Sequence, residues 1–181
     1  MEIPRIAWAA YGFAVLIILL DQVTKAWVLG AADVSDVAMI PDGYRFAQII
    51  PGVFNITMVR NTGVSFGLFG GGGARWILTI FSLLVSAFLL WWATRTDRRI
   101  LISAIGLVIG GAIGNAIDRI QYGYVVDFLD FSSITVSGTR IFPWVFNVAD
   151  AAITVGVMLL FIDGFLSDRR PAQVGAAPEK S

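Results

Sequence analysis

Asp127 and Asp150 stand within the segment 124–155, YVVDFLDFSSITVSGTRIFPWVFNVADAAITV, each embedded in apolar and aromatic residues at the ends of a short polar stretch. An ionisable side chain beside membrane-grade sequence is costly to charge, so its presence there signals a functional site. Two carboxylates held close together cannot both ionise cheaply. One keeps a proton while the other takes one from water, and the two apparent pKa values belong to the pair. That is general acid and base chemistry suited to peptide hydrolysis. The competing use of such residues is a proton relay or an ion pair. Asn147 lies three residues before Asp150 at the start of an expected helix and so shares its face, while Asp127 enters from the preceding loop.

Composition narrows the chemistry further. Of 181 residues, 57% are hydrophobic and 14% charged, and the mean hydropathy of +0.77 is that of an integral membrane protein. Thirteen basic residues balance thirteen acidic ones with no long basic run, which gives no support for nucleic-acid binding. The chain has neither histidine nor cysteine. The usual zinc-protease ligand sets, the Ser-His-Asp triad and the Cys-His dyad are therefore impossible. Carboxylates remain as the hydrolytic groups, with a Ser-Lys pair as the alternative. The stretch Gly63-Val64-Ser65-Phe66-Gly67 matches the G-x-S-x-G pattern, but that motif needs a histidine, so only a Ser65-Lys25 dyad could use it.

The elements that must position these groups are membrane helices. Apolar runs place four spans at about 6–29, 74–93, 100–117 and 146–166, each long enough to cross a bilayer. The connection 30–73 carries turn signals at Pro41, Gly43, Pro51 and Gly52 and a β-leaning run at 53–59, which predicts a small sheet on the membrane surface. The run 70–73 is read as a flexible lead into the second span. Arg5, Arg95, Arg98, Arg99, Arg169 and Arg170 fall on one side, so the positive-inside rule puts both termini in the cytoplasm and the loops 30–73 and 118–145 outside. The expected architecture is an all-α, four-span membrane protein with a small β-rich subdomain between helices 1 and 2. Residues 1–167 form a single domain and 168–181 a polar tail.

Several residues near the outer ends of the spans join the candidate site. Gly106, Gly110 and Gly114 recur every four residues and predict close helix packing. Asn115 and Arg119 lie on the adjacent ridge with Gly111; a buried amide there needs partners, and Arg119 could alternatively snorkel to head groups. Asp21 and Lys25 are one turn apart and read as an ion pair, with Asp118 as a further partner for Lys25 or Arg119. Asp163, thirteen residues beyond Asp150 in one helix, lies roughly 20 Å away and cannot share the site.

The motifs DQVTK at 21–25, NTG at 61–63, GGAIGNAIDR at 110–119, VVDF at 125–128 and FNVADAAITVG at 146–156 closely resemble those of bacterial lipoprotein signal peptidase, or signal peptidase II. The resemblance runs in order over nearly the whole chain. It implies an inner-membrane aspartic endopeptidase that removes the signal peptide of prolipoproteins just before a diacylglyceryl-modified cysteine. The family's catalytic aspartates fall on Asp127 and Asp150, and its supporting residues on Asp21, Lys25, Asn61, Gly63, Asn115, Arg119 and Asn147. It implies prolipoprotein substrates, contact with membrane lipids, inhibition by the cyclic peptide globomycin, and no cofactor. One departure is visible, since Val64 and Ser65 follow NTG where the family usually has small residues such as Ala-Ala. The reading from another class is a proton-coupled transporter or channel component; it would place its acids near the bilayer midplane, often with broken helices and repeats.

Overall fold

The computed structural model describes residues 6–32, 34, 36–63 and 73–168. Four long apolar helices, α1 (Ala7–Gly30), α2 (Gly73–Ala93), α3 (Arg99–Gln121) and α4 (Val148–Asp168), carry the chain back and forth across a membrane. Even the shortest, at 21 residues, is about 31 Å long and matches a bilayer core. Trp27, Phe81, Phe161 and Phe165 stand out from the bundle well exposed, as side chains facing lipid must.

The central helix is α3, largely buried where the other three expose most of their surface. Its glycines explain why. A Cβ on Gly106 would stand 2.7 Å from the Ala10 carbonyl oxygen, and one on Gly110 would stand 2.6 Å from Ile17 Cβ, so α1 presses backbone to backbone against this stripe. Gly111, on the next ridge, meets the Ala149 carbonyl of α4 in the same way. The expected packing stripe therefore holds, and α3 has two such faces. Around the stripe Ala10, Ala14, Leu101, Ile102, Ile105 and Ile109 form the apolar core.

The sheet is larger than expected and draws on both loops. Strands β1 (Arg45–Ile50) and β2 (Phe54–Asn61) supply the part expected between the first two spans. They are joined by β3 (Val125–Asp130) and the short β6 (Val145–Phe146) in the antiparallel order β1-β2-β3-β6. A small hairpin, β4 (Thr135–Val136) with β5 (Thr139–Arg140), projects between β3 and β6. Asp127 is thus on a strand, not in a loop. The run VVDFLD is long and β-branched enough to pair on both sides, which the polar residues after it obscured in the sequence.

Two helix ends also shift. The third span runs to Gln121, past the expected end at 117, because Asp118 and Arg119 have partners within the protein and need not leave the helix. The fourth starts at Val148, since 145–146 belong to the sheet. The run 70–72, Ser65, Arg5 and the polar tail from Arg169 lie outside the described residues.

Candidate active site

The sheet covers the end of the bundle where α1 and α3 finish and α2 and α4 begin. Register places Asp127 opposite Val59 and Asn61 opposite Val125, so Asn61 and Asp127 are diagonal neighbours on one face. Asn61 Nδ2 donates to Asp127 Oδ2 at 2.9 Å. The other oxygen, Oδ1, accepts from Asn147 Nδ2 at 2.7 Å.

Asn147 is also the N-cap of α4, with Asp150 as the third residue of its first turn. The Asp150 amide donates to Asn147 Oδ1 at 2.8 Å, and the Asn147 amide donates to Asp150 Oδ2 at 3.4 Å, a reciprocal capping box. Asn115 Nδ2 completes the carboxylate by donating to Asp150 Oδ1 at 2.8 Å. All four carboxylate oxygens therefore hold an amide donor. Three asparagines supply the side-chain donors, and because they are neutral they orient the acids without neutralising either.

Beneath this layer lies a second one, wholly buried. Lys25 Nζ sits 2.8 Å from Asp21 Oδ2 and 2.7 Å from Asp118 Oδ2, and donates to Asn115 Oδ1 at 3.4 Å. Each carboxylate reaches on to the backbone beside one upper aspartate. Asp21 Oδ1 accepts from the Ala149 amide at 3.0 Å, and Asp118 Oδ2 from the Val126 amide at 2.9 Å. One lysine thus yokes the residue before Asp150 to the residue before Asp127. Gln22 Nε2 closes the cluster with bonds to Asp118 Oδ1, at 2.9 Å, and Asp21 Oδ2, at 3.1 Å.

Gly63 and Arg119 border the open side. The Gly63 amide donates to Asn61 Oδ1 at 2.8 Å, and its φ of +79° suits only glycine. A Cβ there would also collide with Leu78 at 2.5 Å and lie 3.5 Å from Arg119 Nη2. Arg119 leans back over its own helix, donating from Nη1 to the Asn115 carbonyl at 3.4 Å. Its buried Nε has no partner among the described residues, which does not fit simple snorkelling.

The nine candidate residues are brought to one place, and Asp163 is not. It pairs with Arg98 at the opposite end of the bundle, Arg98 Nη2 donating to the Asp163 carbonyl at 2.6 Å. Lys25 has its ammonium engaged by two carboxylates and an amide, so it is poorly placed to act as a base for a serine. Gln22 went unremarked in the sequence, and Asp118 stood only as a partner for a cation. The signal for Gln22 was its place beside Asp21.

The two aspartates meet unlike surroundings. Asp127 is 1% exposed and Asp150 only half-buried. Burial, and then the charge of Asp150, push the Asp127 carboxyl up to about 7, against the opposing hydrogen bonds of Asn61 and Asn147 and the charge of Lys25. Asp150 lies in the first turn of α4. A protonated acid beside an ionised one can supply a general acid and a general base to a water attacking an amide.

Comparison with known proteins gives the chain a family. Residues 13–166 match the family profile described as signal peptidase (SPase) II. A Caulobacter vibrioides protein named lipoprotein signal peptidase is 45% identical over 170 residues, which are 93% of this chain and 93% of that protein. One of the same name from Shewanella pealeana is 42% identical over 163 residues, 88% of this chain and 87% of that one. A solved bacterial membrane enzyme superimposes with a TM-score of 0.69 at 29% identity, over 92% of this chain and 94% of that one.

Proposed function

Because the chain belongs to the signal peptidase II family, we propose that it is a membrane aspartic endopeptidase cleaving signal peptides from diacylglyceryl-modified prolipoproteins just before the lipid-bearing cysteine. The observation that carries the mechanism is the pair of carboxylates clamped by asparagines, with Asp127 the more buried and harder to ionise. Asp150, ionised, takes a proton from a water as that water attacks the scissile carbonyl. Asp127, protonated, donates a hydrogen bond to the developing oxyanion. The amine leaves with the proton that Asp150 gained, which restores the pair.

Asn61, Asn115 and Asn147 hold the carboxylates in register, and the Asp21, Lys25 and Asp118 cluster holds the backbone that carries them. Arg119 Nε, which has no partner among the described residues, is a donor for a substrate carbonyl. The site lies at the outer face of the bacterial inner membrane, with both termini cytoplasmic and residues 1–167 acting as one domain. Globomycin-like cyclic peptides compete for the same site. The position of the acids at the bundle end disfavours the transporter reading, which needs them near the midplane.

The test is cleavage of a purified diacylglyceryl-modified precursor by wild type, Asp127→Asn and Asp150→Asn. Both variants should bind and neither should cut, while wild type cuts only the modified precursor. Near-wild-type cleavage by either variant would remove that aspartate from the chemistry.

A further inference from the structure

A cavity of 460 Å³ runs along the side of α4 that faces away from α3, with Asp150 at its upper end. Thr154 and Val155 line its lower part, one turn further along the helix and about 6 to 7.5 Å deeper along its axis. The opposite wall is aromatic, built from Phe142, Trp144 and Phe146. These rings brace one another edge to face. Phe142 lies 5.4 Å from Trp144 and 6.0 Å from Phe146, and Phe131 stacks behind Phe146 at 5.7 Å. Phe142 and Phe146 also border a second apolar cavity of 480 Å³ against Ile134 and Ile141, so the apolar surface continues past the first trough.

The cavity therefore begins at a carboxylate and descends into the apolar layer. Resting on the peptidase reading above, this placement decides what fits it. The scissile bond lies at Asp150, and the cysteine that follows has its Cα within about 3.8 Å of the preceding residue's. A lipid on that cysteine must leave the site beside Asp150. We infer that the trough between α4 and the aromatic wall at 142–146 seats an acyl chain of the substrate's diacylglyceryl group. A chain moving there from lipid gains little hydrophobic energy, because the membrane is equally apolar. The gain is in position: a chain lying along α4 fixes the depth and azimuth of the cysteine, and the peptide bond before it then lies at the carboxylates. Trp144, 63% exposed, anchors the wall in the interface where aromatic side chains settle.

The experiment compares precursors whose cysteine carries two sixteen-carbon chains with precursors carrying two two-carbon chains, too short to enter the trough, reading kcat/KM for each. Thr154→Trp fills the trough, and Ala151→Leu fills it more gently should the first variant fold poorly. Leu19→Trp adds bulk on the lipid-facing side of α1, which contributes nothing to the trough, and serves as the control that leaves both rates unchanged. Filling the trough should lower the long-chain to short-chain ratio of kcat/KM by fivefold or more. An equal penalty at both lengths, or none, overturns the assignment. In parallel, a long-chain precursor with a diazirine within the first six carbons of its acyl chain, at the depth of Thr154, is photolysed on uncut complexes of Asp127→Asn. Labelling of the peptide 142–155 is expected. Labelling confined to α2 or spread over the whole bundle overturns the inference, and points to a different seat or to bulk lipid. Should wild type cut neither precursor, the peptidase reading fails, and the labelling pattern still decides whether the trough takes an acyl chain.

Discussion

Asn147 and Asp150 cap one another: the side-chain oxygen of each accepts the backbone amide of the other at the start of α4, and Asn147 spends its remaining amide on Asp127. One residue therefore starts the helix that carries one acid and orients the other acid. The two duties can be separated. Asn147→Ala should lose both, costing about 1 kcal/mol for the cap and lowering cleavage by about a hundredfold or more, the scale of losing a positioned group. Asn147→Ser retains a capping oxygen but has no donor that reaches Asp127. It should recover the thermal midpoint and leave cleavage low, as unfolding and rate measurements on the two variants would show.

The raised carboxyl of Asp127 predicts a pH dependence with a definite sign. Its folded value near 7 lies above the unfolded value of 3.8, so between those limits the folded chain binds a proton that the unfolded chain does not. Stability from this group is full below about pH 4 and is lost as pH rises through 7. Cleavage should likewise decline on the alkaline side through about pH 7 as Asp127 ionises. Asp127→Asn removes the titration. Its thermal midpoint should exceed that of wild type more at pH 8 than at pH 5, and a pH-independent offset would exclude Asp127 as the proton holder.

The buried yoke predicts coupling between distant mutations. Lys25→Met leaves Asp21 and Asp118 facing each other without their cation, and should destabilise by about 3–5 kcal/mol. Asp118→Asn keeps the shape and removes one charge. In the double variant the loss from Lys25→Met should shrink by at least 1 kcal/mol, a non-additivity readable by thermal unfolding of all four proteins in detergent. Strict additivity would mean that the two side chains do not share one electrostatic cluster.

Gly111 has backbone of α4 where its side chain would go, whereas Gly164 has open space around it. Gly111→Ala should push α4 outward at Ala149 and carry Asp150 with it, lowering cleavage strongly and stability by about 1–3 kcal/mol. Gly164→Ala should leave both unchanged. Equal behaviour of the two would show that α3 and α4 do not need this close approach.

Ser65 gives a control from the one rival nucleophile. Because Lys25 is fully engaged by Asp21, Asp118 and Asn115, Ser65→Ala should cleave within a few-fold of wild type. A loss of a thousandfold would transfer the chemistry to the serine.

Much of this protein was legible in the chain itself, for physical reasons that act locally. Four runs of apolar residues long enough to cross a bilayer need no partner to be recognised, and an aspartate next to such a run is costly wherever the chain then goes. The absence of histidine and cysteine likewise excluded whole classes of chemistry before any fold was known. What the chain could not disclose depends on residues far apart in sequence meeting. VVDFLD reads as a loop until β2 and β6 flank it, because even a run with strand-forming residues is fixed as a strand only by its neighbours. Asp118 reads as a partner for either Lys25 or Arg119 until the packing of α1 on α3 gives it to Lys25. Asn147 has one evident partner, three residues on, and finds others in Asp127, Val126 and Asn115 only when β3 and α3 close on α4. The individual groups are set by local cost and pattern, and the tertiary structure alone decides which oxygen each amide holds, since that depends on distances of a few tenths of an ångström between elements the sequence does not connect.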